Sequence, residues 1–288
     1  MKDQKILVLG GKGKTGRRVA EKLTKMGHQI RIGSRSENPA FDWENPATWA
    51  AVLEGMSAVY ITFQPDLAVP GALTAIKGFT SQAVKAGVQK LVLLSGKGER
   101  EAELCEQVVM DAGADWTIIR ASWFNQNFSE SFFLDPILAG HVALPKSEEL
   151  IPFVDADDIA DVVVEALLHD QHNGKVYELT GPRQLTFPEI VKEISAATGR
   201  DIPFVPISME GYTNLLKEFH VPADFIWLIN YLFTEILTEA NSVVTNDVEK
   251  VLGRKPKDFS EYVLETAATG VWDSIAQTES VALQKANE

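Results

Sequence analysis

A doubly wound parallel α/β sheet followed by a smaller, mainly helical C-terminal lobe is the fold this sequence predicts, on three observations. A short apolar run at residues 6–9 feeds three evenly spaced glycines, Gly10, Gly13 and Gly16. Branched apolar runs then alternate with segments of helical periodicity through the first half of the chain. Glycines at 27, 55, 87 and 113 fall near the ends of those helical segments, where a left-handed C-cap is wanted.

Residues 6–9, Ile-Leu-Val-Leu, have the length and branching of a strand buried on both faces. Residues 17–26 carry Val19, Ala20, Leu23 and Met26 at helical spacing, so strand, glycine loop and helix follow one another. Residues 29–32 read as a second strand, 46–53 as a helix, 58–63 as a strand and 69–86 as a helix. A strand at 91–94, a helix at 102–112 with Leu104, Val108 and Ala112 on one face, and a strand at 116–119 continue the rhythm. Alternation of this kind implies right-handed crossovers. After residue 120 comes an aromatic segment, Trp123, Phe124, Phe128, Phe132 and Phe133. Residues 155–168 then read as a helix opening on acids, 176–179 as a strand, and Gly181-Pro182 as a break. Segments 187–198, 208–219, 223–237 and 259–269 are helical, joined by Pro203, Pro206, Pro222 and Pro256. The division expected is 1–150 for the sheet domain and 183–274 for the helical lobe. Residues 275–288 have no packing face and are expected to be disordered.

Composition bounds the function. The 288 residues are 45% hydrophobic and 23% charged, as in an ordinary globular protein. A net charge of −13 opposes nucleic acid and anionic lipid, and the basic cluster Lys12, Lys14, Arg17 and Arg18 sits on the glycine loop itself. Neither nucleic acid nor a membrane is expected as a partner. Cys105 is the single cysteine, so disulfides and cysteine metal clusters within the chain are excluded. The N-terminal apolar run is too short for a signal peptide, and the cytoplasm is the expected location. His28, His141, His169, His172 and His220 are scattered, and no metal is expected. The helix near Trp227 is apolar on most sides, which suits burial or a homodimer face.

Glycines between a strand and a helix let the chain turn tightly and its backbone approach a pyrophosphate, whose charge then rests on the helix N-terminus. Gly10, Gly13, Lys14, Thr15 and Gly16 are therefore the first cofactor-binding candidates. The second strand supplies the next. A site for NAD usually ends that strand on Asp or Glu, which accepts from the ribose 2′-hydroxyl. Here it ends Ile32-Gly33-Ser34-Arg35. Arginine pairs with a 2′-phosphate and Ser34 adds a hydroxyl, so NADP(H) is expected over NAD(H).

Several motifs together resemble the NmrA-like atypical short-chain dehydrogenases. They are Gly-Lys-Gly-Lys-Thr-Gly after the first strand, Phe41-Asp42-Trp43, Leu93-Leu94-Ser95-Gly96, Asp115 to Arg120, Trp123-Phe124-x-Gln126-Asn127-Phe128, and Pro152 to Ala160. Within that family the likeness is nearest to the ergot-alkaloid iminium reductases of the festuclavine or agroclavine dehydrogenase type, and it spans residues 5 to about 272. It implies a Rossmann-type domain to which the strand near 175–180 returns from the smaller lobe. It also implies Asp42 near the adenine, Thr62 and Phe63 beside the adenosine ribose, and Ser95, Gly96 and Lys97 with residues 121–124 around the nicotinamide.

Typical members of the wider superfamily carry Tyr-x-x-x-Lys after the fifth strand, where the lysine lowers the tyrosine pKa so that the phenol protonates a developing alkoxide. The corresponding helix of this chain, after its strand at 91–94, reads Glu99 to Glu106, without tyrosine. An iminium becomes a neutral amine on accepting hydride, and a quinone or azo bond takes its proton from a weak donor. A small conjugated or cationic substrate is thus expected rather than a ketone. Trp123, Phe124, Asn127 and Phe128 are its candidate contacts, weighed against a plain aromatic core. Ser95 and Lys97 are weak catalytic candidates. Asp155, Asp157, Asp158 and Asp161 read as helix-capping acids. Beside a reductase, a redox sensor that binds NADP(H) without turnover and a non-redox cyclase fit the same residues.

Overall fold

The computed structural model describes residues 4–273; the tail at 275–288 lies outside the described residues. Along the chain run β1 Lys5–Leu9, α1 Lys14–Lys25, β2 Gln29–Gly33, α2 Trp49–Leu53, β3 Ala58–Ile61, α3 Ala72–Lys85, β4 Lys90–Gly96, α4 Arg100–Met110 and β5 Asp115–Ala121. Then come α5 Leu134–Ala139, β6 Val142–Leu144, α6 Ala156–Leu168, β7 Lys175–Leu179, α7 Phe187–Thr198 and β8 Phe204–Pro206. Helices α8 Met209–Glu218, α9 Ala223–Tyr231, α10 Asp247–Leu252 and α11 Phe259–Ala267 complete the chain. Two compact units share it. The first takes residues 4–122, 156–180 and 245–256, and the second takes 123–155, 181–244 and 257–273. The first stretch of the sheet unit thus stops at Ser122 rather than near residue 150.

In the first unit six strands form one sheet in the order β2-β1-β3-β4-β5-β7, each pair parallel. Residues 6–9 and 58–61 are wholly buried, which requires cover on both faces. Alternation sorts their side chains. Leu7, Leu9, Val59, Ile61, Leu91 and Leu93 join Ile76 and Phe79 of α3 and Cys105 and Val109 of α4 in one core, while Ile6, Val8 and Tyr60 point the other way. On that other side α1 and α6 pack together, tied by Arg18 to Asp157 at 3.3 Å and Lys22 to Asp161 at 2.6 Å. Arg254, just past α10, reaches Asp158 and Asp161 at 2.6 Å each. The acids read as caps therefore also stitch three helices. Glycines 27, 55, 87 and 113 all take positive φ, as the chain's helix ends demand.

Two boundaries moved for local reasons. The helix expected from residue 69 starts at Ala72, because the Asp66 carboxylate accepts from the Ala68 N–H at 2.8 Å and holds a turn there. The helix expected over 223–237 is α-helical only to Tyr231 and continues as a π-helical turn, Leu232–Ile236. Strand β8 and helix α10 were not anticipated. The first is three residues ending on a proline, the second six residues, and neither is long enough to show a period.

The second unit has an aromatic core of Phe128, Phe133, Phe153, Phe187, Phe233, Phe259 and Trp272. Strands β6 and β8 pair in parallel. A capping box, Thr186 with Glu189, opens α7, and Arg183 binds Asp258 at 2.7 Å and Glu193 at 2.8 Å. Helix α9 buries Ile226, Leu228 and Ile229 and leaves Phe225 and Trp227 half exposed, with Trp227 stacked on Tyr231. Among the described residues no helix is long and apolar enough to cross a membrane.

Candidate functional site

The sheet order reverses between β1 and β3, and in such sheets the loops leaving the carboxyl ends of those two strands open a ligand crevice. The glycine loop fills that place. Gly10 has φ +61°, and its N–H donates to Gly33 O at 3.1 Å; Gly13 N–H donates to Gly10 O at 2.8 Å and closes the turn. A Cβ on Gly16 would strike the Gly10 carbonyl, and one on Gly10 would strike Thr62 Oγ1. At these glycines the loop therefore presents bare backbone. Helix α1 starts at Lys14 with no side-chain cap and no acid in its first turn, so its positive end is not offset locally. These features fit a pyrophosphate. Thr15 turns inward, buried, with Oγ1 accepting from Tyr60 Oη at 3.0 Å. Its side chain joins helix to sheet, which leaves its backbone N–H for an anion.

At the β2 end, Ser34 is half-buried and Arg35 is exposed, and among the described residues no ion pair engages the Arg35 guanidinium. Lys12 reaches over from the glycine loop to Ser36 Oγ at 2.7 Å and to Glu37 at 2.9 Å. The one acid of this turn, Glu37, is thereby matched. Asp42 is anchored in a local turn: its carboxylate accepts from Glu44 N–H at 3.1 Å and its carbonyl from Trp49 Nε1 at 2.8 Å. Trp43 Nε1 donates to Thr62 O at 3.1 Å, and its ring lies 4.9 Å from that of Phe63. Thr62 Oγ1 donates to Leu9 O at 3.1 Å. The loop after β3 is thus fixed beside the glycine loop, with the Gln64 amide standing near Gly13.

Farther along the edge, after β4, Ser95 and Lys97 are buried. Ser95 Oγ donates to Glu106 Oε1 at 2.6 Å. Glu106, 1% exposed, also takes a forked pair of bonds from Arg120, with Nη2 to Oε2 at 2.7 Å. Arg120 reaches Glu178 at 3.5 Å as well. Strand register explains the cluster, because Ser95 pairs with Arg120 and Arg120 with Glu178. The Ser95 hydroxyl is therefore committed to a buried carboxylate, a positioning arrangement rather than that of a nucleophile. Burial pulls the Lys97 ammonium below its usual range, and Glu178 acts against that.

In the second unit, Trp123 and Phe124 are half-buried. The Trp123 ring contacts Phe133, Phe187 and Phe233 at 5.4–6.2 Å. Phe128 needs correction as a substrate contact. It is 0% exposed, with Phe133, Phe153 and Phe259 around it, so it is core. The Asn-Gln motif is explained by the buried Asp155, which accepts from Gln126 Nε2 at 3.0 Å and Asn125 Nδ2 at 3.4 Å. Asn127, the remaining polar candidate, is half-buried. None of the five tyrosines is on α4: Tyr60 is on β3, Tyr177 on β7, Tyr212 on α8, Tyr231 on α9 and Tyr262 on α11.

Known proteins share this chain's pattern over most of its length. A family described as NAD(P)H-binding matches residues 10–170, and one described as NmrA-like matches residues 102–263, each more than half of the chain. The chain belongs to the NmrA-like family of NAD(P)H-binding proteins. It is 30% identical to a Bacillus subtilis (strain 168) protein named uncharacterized oxidoreductase YesF, over 94% of this chain and 99% of that one. It is equally similar, at 30%, to agroclavine dehydrogenase of Claviceps fusiformis, over 93% and 98%. The NADPH-dependent quinone oxidoreductase QOR2 of Escherichia coli, solved with NADPH, shares the fold with a TM-score of 0.75 at 19% identity, covering 90% of this chain and 99% of that one. Membership makes this NmrA-like chain an NAD(P)H-dependent oxidoreductase by family.

The structure brings Gly10, Gly13, Gly16, Thr62 and Phe63 to the carboxyl edge of the sheet, with Ser34 and Arg35 just after β2 and Ser95 and Gly96 ending β4. Sequence reasoning missed Gln64, Asp66, Glu99, Glu106 and Arg120. Arg120 ends the Asp115–Arg120 motif and Glu99 and Glu106 bound the segment without tyrosine, yet nothing in those patterns marks their partners, which meet only when β3, β4, β5 and α4 assemble.

Proposed function

We propose that the protein is an NADPH-dependent reductase that passes hydride to a small conjugated acceptor of the iminium, quinone or azo type. The observation that carries this reading is the makeup of α4 and the turn before it, where acids stand in place of the tyrosine that ketone reduction needs. When bound, the cofactor supplies the hydride. The chain's part is to hold the pyrophosphate on backbone N–H groups at α1, to pair a 2′-phosphate with Arg35, and to keep Ser95 and Lys97 fixed by the β4–β5 network. Names among the relatives support the class: one acts on agroclavine, and one structural neighbour on quinones.

The test is NADPH consumption followed at the nicotinamide absorbance with a panel of iminium, quinone and azo compounds, and steady turnover with at least one is expected. Tight NADPH binding without turnover on any would instead favour the sensor. Trp123 is proposed to contact the acceptor with the part of its ring left outside the aromatic cluster. Trp123→Ala is expected to cost about 3 kcal/mol because it empties a site among three rings. Trp123→Phe keeps that packing, so it is expected to raise the acceptor KM several-fold with an unchanged melting temperature. Unchanged kinetics would place Trp123 wholly in the core.

A further inference from the structure

At the carboxyl edge of the sheet two acids touch. Asp66 lies in the loop after β3 and Glu99 in the turn after β4, and these strands are neighbours. Their side chains are hydrogen-bonded to each other, which two carboxyls manage only when one carries a proton. Several features assign that proton to Glu99. It is 6% exposed, and its Oε2 is buried with no donor aimed at it. That is costly for an anionic oxygen and ordinary for a hydroxyl that itself donates. Asp66, by contrast, already accepts from the Ala68 N–H, which favours its charged form.

The charges around the pair act in the same direction. Burial, the neighbouring Asp66, and Glu101 and Glu106 on α4 push the Glu99 carboxyl up to about 9. Burial also raises Asp66. Cys105 on α4 is raised by burial and by the nearby Glu106 and Asp66, and the cation on β5, Arg120, is occupied by Glu106. The Glu99 carboxyl folds back onto its own turn, in the space that a Cβ on Gly96 would fill.

We propose that Glu99 is a positioning residue whose proton, shared with Asp66, latches the loop carrying Thr62, Phe63 and Gln64 to the loop carrying Ser95, Gly96 and Lys97, so that both halves of the cofactor cradle stay in register. The inference rests on NADP(H) lying along this edge. Loss of the proton puts two anions in contact and drives the loops apart, and cofactor affinity falls with it.

The experiment is a titration of the full chain with NADPH, followed by nicotinamide fluorescence from about pH 7.5 to 9.5. Wild-type affinity is expected to weaken about four-fold over that range, as required when binding needs one proton held to about pH 9. Glu99→Gln keeps a neutral donor toward Asp66, so its affinity is expected to match wild type at the lower pH and stay flat. A Glu99→Gln profile parallel to wild type, or a flat wild-type profile, would overturn the latch. Infrared spectroscopy without cofactor gives an independent readout: a protonated-carboxyl band at neutral pH that disappears in Glu99→Gln supports the latch, and a wild-type spectrum lacking it refutes it. Failure of the wild type to bind NADPH at any pH, with that band present, would sink the cofactor placement instead.

Discussion

Arg35→Asp is expected to weaken NADPH binding on the order of 100-fold and to change NADH binding far less. The asymmetry follows from where the residue stands. Arg35 comes two residues after the end of β2, exposed, on the strand whose last residue, Gly33, is bonded to the glycine loop. Charge-assisted bonds from a guanidinium to a phosphate contribute roughly 1.5–3 kcal/mol, and an aspartate in the same place adds repulsion. NADH has no 2′-phosphate and loses neither. The competing acid of the turn, Glu37, is held by Lys12 at 2.9 Å, so it does not cancel Arg35 in the wild type. Dissociation constants for both cofactors, measured on both proteins, check this. Equal losses would mean that the 2′-phosphate lies elsewhere.

Features that depend on neighbours in the chain were legible beforehand, and features that depend on sheet register were not. The glycine loop reads directly, because each glycine there answers a demand set within a few residues: a left-handed turn at Gly10 and close backbone approach at Gly16. Arg35 reads as well, since its position is defined by the end of a strand. Ser95 read only as a polar residue after a strand. Its acceptor Glu106 is eleven residues away on α4, and Arg120 comes opposite Ser95 only through β4–β5 pairing. The aromatic segment shows a different limit. Trp123 and Phe128 have the same character in sequence, yet the first is half-buried and the second fully buried, a difference set by how Phe133, Phe153 and Phe259 close around Phe128.

Arg120→Ala should destabilise the fold by about 3–5 kcal/mol, because it strands a buried carboxylate without its partner. Against a typical total of about 5–15 kcal/mol, that is a large share. Glu106 is 1% exposed, and among the described residues only Ser95 Oγ would remain of the charged or hydroxyl groups that bind it. Thermal melts of the variant beside wild type would show it. The double variant Arg120→Met, Glu106→Leu should recover most of the loss, since apolar groups of similar volume dispense with the desolvation that the pair only offsets. The double variant also separates stability from function. If the ion pair serves only to hold the sheet together, the repacked protein binds NADPH as wild type does. If it serves to aim the Ser95–Lys97 loop at the nicotinamide end of the cradle, the repacked protein is stable yet binds NADPH more weakly, because Ser95 has lost the acceptor that fixes its rotamer.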